Sequence, residues 1–384
     1  MTRSTVGILM LVPSGWGEIW TGRHHIAARL ARRHPLVWMT PAEPWREVFS
    51  KGLVGQKCSP AAGAPDVLVY DPPSYLPHVY RPGWLRDRLF RRRLAQARRR
   101  LVAAGARRVV LYIWRPQFDA ALGLVPHDLS IYHVNDEYSF SADAEGVSTR
   151  EARLLRKVDQ VIIHSPELMR RKGNLNPQTI MLPNGVDYAA FSQPRPVPAD
   201  LARVPTPRIG YVGWLKRHLD WAMLESLVAA RPALSFVFIG PTSPHPELEA
   251  VIARLSARPN VHFLGGKPAA ALPDYVQHLD VCLLPYLDNS YTRCIYPLKL
   301  HESLAAGKPV VATSLPSIDP FGAVVQVVHE GESWPAAVDA AIAPVDRTGG
   351  QIEARQAVAR EHDWDTLVER IEALLEERIR GTDQ

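Results

Sequence analysis

The chain has 384 residues, 46% hydrophobic and 22% charged, the proportions of a folded globular protein and not of a disordered one. Its net charge of +6 suits phosphates, anionic lipid or nucleic acid, but no nucleic-acid motif accompanies it and no apolar run approaches the ~18 residues of a membrane span. Three scattered cysteines, Cys58, Cys282 and Cys294, make neither a disulfide framework nor a zinc site and fit a reducing compartment.

The first predicted strand is Val6–Val12. It runs into Pro13-Ser-Gly-Trp-Gly17 without a small-residue cleavage site, so it reads as a strand ending in a glycine loop and not as a secretory signal. Gly15 and Gly17 permit close backbone approach to a ligand, although the dinucleotide spacing of glycines is absent. The helix that follows bears Arg23, His24 and His25, with His25 read as ordinary helix surface. Further strands are expected at Leu36–Met39, Val67–Tyr70, Arg108–Trp114, Leu129–Asn135, Gln160–His164 and Thr179–Leu182. Continuous apolar strands alternating with helices predict a parallel sheet covered on both faces.

Between these strands lies an arginine-rich helix over residues 84–104. Its Phe90, Leu94, Ala97 and Leu101 form one narrow stripe. With Tyr80 and Trp84 this fits an anionic bilayer surface; the alternative is a domain helix with a solvated basic face. The strand Leu129–Asn135 delivers Asp136 and Glu137 to its carboxyl end, where ligands of open α/β sheets bind. An acid in that place also serves as the N-cap of a following helix.

Prolines crowd residues 192–207 and predict a linker. The expected organisation is a first domain over 1–191, this linker, a second domain over 208–362, and a terminal segment 363–384. Strands of the second domain are expected at Arg208–Val212, Ser235–Gly240, Val261–Leu264, Val281–Pro285 and Pro309–Thr313. A short helix is expected from Pro297, which suits its first turn, to Gly307, which suits its stop. Its amino tip is an anion site, to which Lys299 adds a full charge. Glu302, one turn on, is placed for ribose hydroxyls. The two also read as a surface i,i+3 ion pair. The last helix, Trp364–Ile379, either closes the second domain, as its sequence slightly favours, or crosses back to the first.

The stretch Pro297-Leu-Lys-Leu-His-Glu-Ser-Leu-Ala-Ala-Gly-Lys-Pro-Val-Val311 resembles the donor-binding helix of GT-B glycosyltransferases that assemble bacterial polysaccharides. Tyr211-Val-Gly-Trp-Leu-Lys-Arg217 resembles the strand–loop that meets the diphosphate. Val261-His-Phe-Leu-Gly-Gly-Lys-Pro268 resembles the nucleobase loop, and Pro183-Asn-Gly-Val-Asp187 the turn before the interdomain linker. The resemblance implies two Rossmann-like α/β domains facing across a cleft. Many retaining members carry a second glutamate eight positions before the one at 302; here that position is Cys294. The departure brings the chain closer to the subgroup that includes the xanthan glucuronosyltransferase, and tilts the stereochemistry towards inversion without closing it.

The same resemblance implies residue roles. Asp136 is the general base, with Glu137 its nearest competitor. Gly213, Lys216, Arg217, Pro297, Leu298 and Lys299 meet the diphosphate, Glu302 the ribose, and the backbone of Gly265, Gly266 and Lys267 the base. Gly15, Trp16, Arg23, Glu137, Tyr291 and Arg293 are candidate contacts to donor sugar or acceptor; Arg293 also reads as a solvated loop residue. The expected reaction moves a sugar from a UDP-linked donor to a glycan or lipid-linked acceptor, without metal or cofactor. The expected place is the cytoplasm, peripherally on the inner face of the plasma membrane, with no nucleic-acid partner. The rivals are a nucleotide-sugar 2-epimerase of the same architecture and a non-catalytic nucleotide-sugar binding module.

Overall fold

The computed structural model describes residues 4–17, 20–51, 54–138, 147–343 and 349–381. They form two compact units, Met1–Leu182 with Leu367–Gln384, and Pro183–Thr366.

Unit 1 is built on eight strands: β1 (Val6–Leu11), β2 (Leu36–Met39), β3 (Lys57–Ala61), β4 (Ala64–Asp71), β5 (Arg108–Ile113), β6 (Leu129–Val134), β7 (Gln160–Ile163) and β8 (Thr179–Met181). Their order is β3-β4-β2-β1-β5-β6-β7-β8, parallel except where β3 pairs antiparallel with β4. The central strands are buried and largely apolar because helices cover both faces; Ile8, Leu9 and Met10 are fully buried. β3 is absent from the predicted strands for a physical reason. Lys57, Ser59 and Pro60 are exposed, so this edge strand has neither alternation nor a long apolar run.

Unit 2 carries β9 (Arg208–Val212), β10 (Ser235–Ile239), β11 (Val261–Gly265), β12 (Val281–Leu284), β13 (Val310–Thr313) and β14 (Gln326–Val328). The order β11-β10-β9-β12-β13-β14, all parallel, is doubly wound. Its direction reverses between β9 and β12. The three-residue edge strand β14 is too short to show a period, and the sequence reading omitted it.

Three expectations change. The proline-rich stretch 192–207 is not a free linker, and the units meet at Leu182 and Pro183. Phe191, Leu201 and Val204 are buried in the core of unit 2. Gln277 clamps this stretch, its Nε2 donating to the Phe191 and Gln193 carbonyls at 2.7 and 2.6 Å while its Oε1 accepts from the Arg195 N–H at 2.9 Å. On the helix Gly83–Ala103, the stripe Phe90, Leu94, Ala97 and Leu101 is buried in the unit. It feeds the core and offers no apolar face to a bilayer. The helix Trp364–Gly381 belongs from Leu367 onwards to unit 1, where Arg378 reaches Gln160 and Gln178. It therefore does not simply close the second domain.

Candidate active site

In unit 2 the carboxyl ends of β9 and β12 flank the reversal of strand order, where open α/β sheets bind ligands. Two glycines pack there. Gly213 follows β9 with φ 146° and Gly240 follows β10 with φ 148°. A Cβ on Gly240 would lie 2.0 Å from the Gly213 carbonyl oxygen, and one on Gly213 would lie 1.8 Å from Lys299 Cε. The strand ends are thus cleared of side chains so that Lys299 lies directly on the Gly213 backbone.

Lys299 sits in the first turn of the helix Leu298–Ala305, whose N-cap is Pro297; the helix starts one residue later than the sequence suggests. No side chain caps this tip and no acid stands in its first turn. Asn184, from the Pro-Asn-Gly turn, donates its amide to the Tyr296 carbonyl at 2.8 Å and so anchors the residue before the cap. The Lys299 ammonium is 5.7 Å from the Tyr211 ring centroid. Lys299 and Glu302 make no ion pair within 4 Å among the described residues, so the surface-pair reading is not what the side chains do. Burial raises the Glu302 pKa against the pull of Lys299. Tyr211 and Tyr286 crowd the same place, their hydroxyl pKa values raised by burial. The sequence reading missed Tyr286 and Gly240; only a glycine closing a predicted strand hinted at the second.

The other expected donor residues divide. Lys216 is exposed, its ammonium 4.8 Å from the Trp214 ring, and Arg217 is exposed beside it. His218 stacks on Tyr291 at 4.4 Å, which joins this loop to the segment 289–294. Gly265 ends β11 at φ 70° and Gly266 follows. The Lys267 ammonium is tied to Asp200 at 2.7 Å, leaving its backbone as the part open to a ligand. Arg293 is not a free cation: its guanidinium forks onto Asp288 at 2.6 and 2.8 Å. Cys294, at the position of the missing acid, is buried with its thiol 3.4 Å from the Ser290 carbonyl.

In unit 1, Asp136 is half-buried after β6 and its Oδ1 accepts from the Glu137 N–H at 2.9 Å, so this carboxylate oxygen is bound by the next residue's backbone. Arg23 and Tyr138 are its electrostatic neighbours. Burial lowers the Arg23 pKa, and the nearby Arg115 adds to this. The Nε atoms of both arginines are buried without a hydrogen-bond partner among the described residues. Nothing in the sequence singles out Arg115. Glu137, the competing base, is held in a buried ion pair. It is buried and accepts from Lys172 at 2.8 Å, and Lys172 also binds Glu151 at 3.0 Å. Trp16 donates to the Ala62 carbonyl at 2.9 Å and meets Trp38 and His24 edge-on at 4.9 Å, which anchors the otherwise exposed Gly15 loop. His25 is half-buried against Trp20, its pKa lowered to about 3 first by burial, so it is not ordinary surface. Among the described residues no three His, Cys, Asp or Glu side chains are grouped to hold a metal ion, and no helix is long and apolar enough to cross a membrane.

Two doubly wound units, the second with a cation on its bare helix tip, define the class: the protein is a glycosyltransferase of the GT-B fold, and residues 206–377 match the family described as Glycosyl transferases group 1. Over nearly its whole length, 96% of this chain and 97% of the relative, it is 25% identical to the protein named Putative teichuronic acid biosynthesis glycosyltransferase TuaH of Bacillus subtilis (strain 168). The crystal structure of Anabaena HepE in complex with UDP-glucose is similar with a TM-score of 0.70 at 18% identity, covering 97% of this chain and 99% of that one. Sucrose-phosphate synthase from Thermosynechococcus elongatus follows at TM-score 0.67 and 16% identity, covering 98% and 99%.

Proposed function

We propose that the chain moves a sugar from a UDP-linked donor held by unit 2 onto a glycan or lipid-linked acceptor held by unit 1, in polysaccharide assembly. The observation that carries this reading is the Lys299 ammonium seated on the bare backbone of Gly213, without a carboxylate within 4 Å among the described residues, at the point where the strand order reverses. HepE structures with UDP and UDP-glucose, and the name of the Bacillus relative, support the nucleotide and the setting. Asp136 takes the proton of the acceptor hydroxyl as that oxygen attacks the anomeric carbon. The bond from that carbon to the diphosphate breaks, and its negative charge is met by the helix tip at Pro297–Lys299, with Lys216 and Arg217 alongside. Glu302 holds the ribose, and the backbone of Gly265–Lys267 holds the base. No metal or cofactor has a part in the step, so added chelator leaves the rate unchanged. The protein works in the cytoplasm, with unit 1 touching the inner face of the membrane through exposed Tyr80 and Trp84 and the arginine face of the helix Gly83–Ala103.

The deciding experiment pairs two variants with two readouts, transfer and UDP binding by calorimetry. Lys299→Ala lowers turnover ~10²–10³-fold without unfolding. Asp136→Asn lowers turnover ~10²–10⁴-fold and leaves UDP affinity intact. A near-wild-type rate in the first variant removes the leaving-group role; one in the second removes the base.

A further inference from the structure

Unit 1 encloses a cavity of about 900 Å³ that shares no residue with the surroundings of Asp136 or with unit 2. It lies between the helix Gly83–Ala103, the 3₁₀ segment Pro116–Gly123 and the helix Thr149–Lys157, at the carboxyl ends of β1 and β2. Its volume is at the upper end of small-molecule sites. One part of the lining is hydrocarbon: Leu11, Met39, Phe90, Phe118, Leu122 and Leu154. The other part is cationic: Arg86, Arg93, Arg150, Arg153 and Lys157, against the single carboxylate of Asp119.

The ion pairs leave a surplus of positive charge. Arg150 reaches Asp119 at 3.7 Å and Arg86 reaches Asp87 at 2.8 Å. Arg93, Arg153 and Lys157 have no carboxylate within 4 Å among the described residues. Arg93 is the telling member. It is 4% exposed, yet its Nε is buried without a hydrogen-bond partner among the described residues, and its Nη1 finds only the Leu76 carbonyl at 3.2 Å. Its guanidinium lies 5.4 Å from the Phe90 ring centroid, where charge and hydrocarbon meet. Burial lowers its pKa to about 10, which leaves it cationic at neutral pH. A buried cation with an unmet donor is unfavourable unless an anion joins it. At the rim, Tyr80 lines this cavity and, with Pro44, Trp45 and Arg46, a smaller one beside it. Trp45 and Tyr80 are 42% and 67% exposed, so the entrance is flanked by amphipathic rings.

The geometry points to a binding site for a phosphate esterified to a hydrocarbon chain, the phosphate on Arg93, Arg153 and Lys157 and the chain along Phe90, Phe118 and Leu154. That such a molecule carries the acceptor sugar rests on the glycosyl-transfer reading above; the binding itself does not. The shared chemistry has two sources, a single-chain carrier lipid and a bilayer phospholipid.

Calorimetry on the full chain tests the site with geranyl phosphate, geraniol, inorganic phosphate and monomeric dihexanoyl phosphatidylglycerol, and with UDP as control. Geranyl phosphate is expected to bind saturably, one per chain, with geraniol and inorganic phosphate each about tenfold or more weaker. Reversing the exposed charges (Arg153→Glu with Lys157→Glu) is expected to weaken geranyl phosphate about tenfold or more and leave UDP unchanged. Arg93→Gln is expected to abolish binding; because Arg93 is buried and this variant risks misfolding, the exposed pair decides. Tighter binding of dihexanoyl phosphatidylglycerol than of geranyl phosphate assigns the site to bilayer lipid, and the reverse order assigns it to a carrier. Equal affinity for geraniol and geranyl phosphate, absence of saturable binding, or indifference to charge reversal overturns the proposal. Loss of UDP binding alone overturns the transfer reading and leaves this site standing.

Discussion

Gly213 shows how closely single atoms constrain the proposed donor site. A methyl group there would collide with the Lys299 side chain and would also be strained at φ 146°. Gly213→Ala should therefore weaken UDP binding about tenfold or more, the worth of a charge-assisted contact, while circular dichroism shows the fold retained. Unchanged affinity would mean that Lys299 does not need its seat. Arg293 is the contrasting case. Because Asp288 already satisfies its fork and both side chains are largely exposed, Arg293→Ala should alter UDP affinity and stability by less than about 1 kcal/mol. The helix that carries Lys299 and Glu302 was legible in place and start, because a proline at its head and a glycine at its stop act locally in any fold; the chemistry assigned to the two side chains belongs to the proposal. The ion pair of Glu137 was not legible for an equally local reason. An acid after a strand looks the same whether it faces solvent or a lysine thirty-five residues further along.

At the scale of elements, two features depend on partners distant in the chain. The helix Pro166–Lys172 ends in Lys172, which holds Glu137 and Glu151 together in a dry site where Tyr132 also donates to Glu151 at 2.9 Å. Lys172→Met would strip the buried Glu151 of its cation and leave Glu137 to Arg171 at 3.5 Å, and a loss of ~3–5 kcal/mol in urea unfolding is expected. A smaller loss than ~1 kcal/mol would show that water or protonation relieves them. The proline-rich stretch of unit 2 behaves as a strap. Prolines exclude helix and sheet interiors, which is why the composition suggests a linker, yet composition is silent on Gln277 and on the apolar bed beneath Phe191 and Leu201. Gln277→Ala should cost ~1–2 kcal/mol and raise amide exchange at Arg195, a local effect that a true linker would not show.

For the whole molecule, buried histidines make stability depend on pH. Burial, as the leading cause, lowers the pKa of His24 to about 4, of His25 to about 3 and of His164 to about 4, and lowers those of His133 and His301 well below the usual imidazole range. The unfolded chain binds protons on these rings near pH 6.5 and the folded chain does not, so stability rises with pH and falls as pH drops from about 7 towards 4. Four of the five lie in unit 1, so amides of unit 1 should lose exchange protection before those of unit 2 on acidification. Equal loss in both units would contradict this. The edge strand β3 remained invisible beforehand because its sequence is polar and carries Pro60, whereas most of the buried strands announced themselves by apolar runs; of the two three-residue edge strands, β8 was expected and β14 was not.

The amino-acid order by itself determined the two α/β layers, the central strands and the helix with Lys299 in its first turn, because periodicity, proline, glycine and charge act over a few residues. Only the tertiary structure decided which prolines are strapped down, which arginines are already paired, which glutamate is buried with a lysine, and that five cations gather around one apolar cavity. Those outcomes depend on desolvation and on partners brought together from distant positions, and neither is a property of any local stretch of chain.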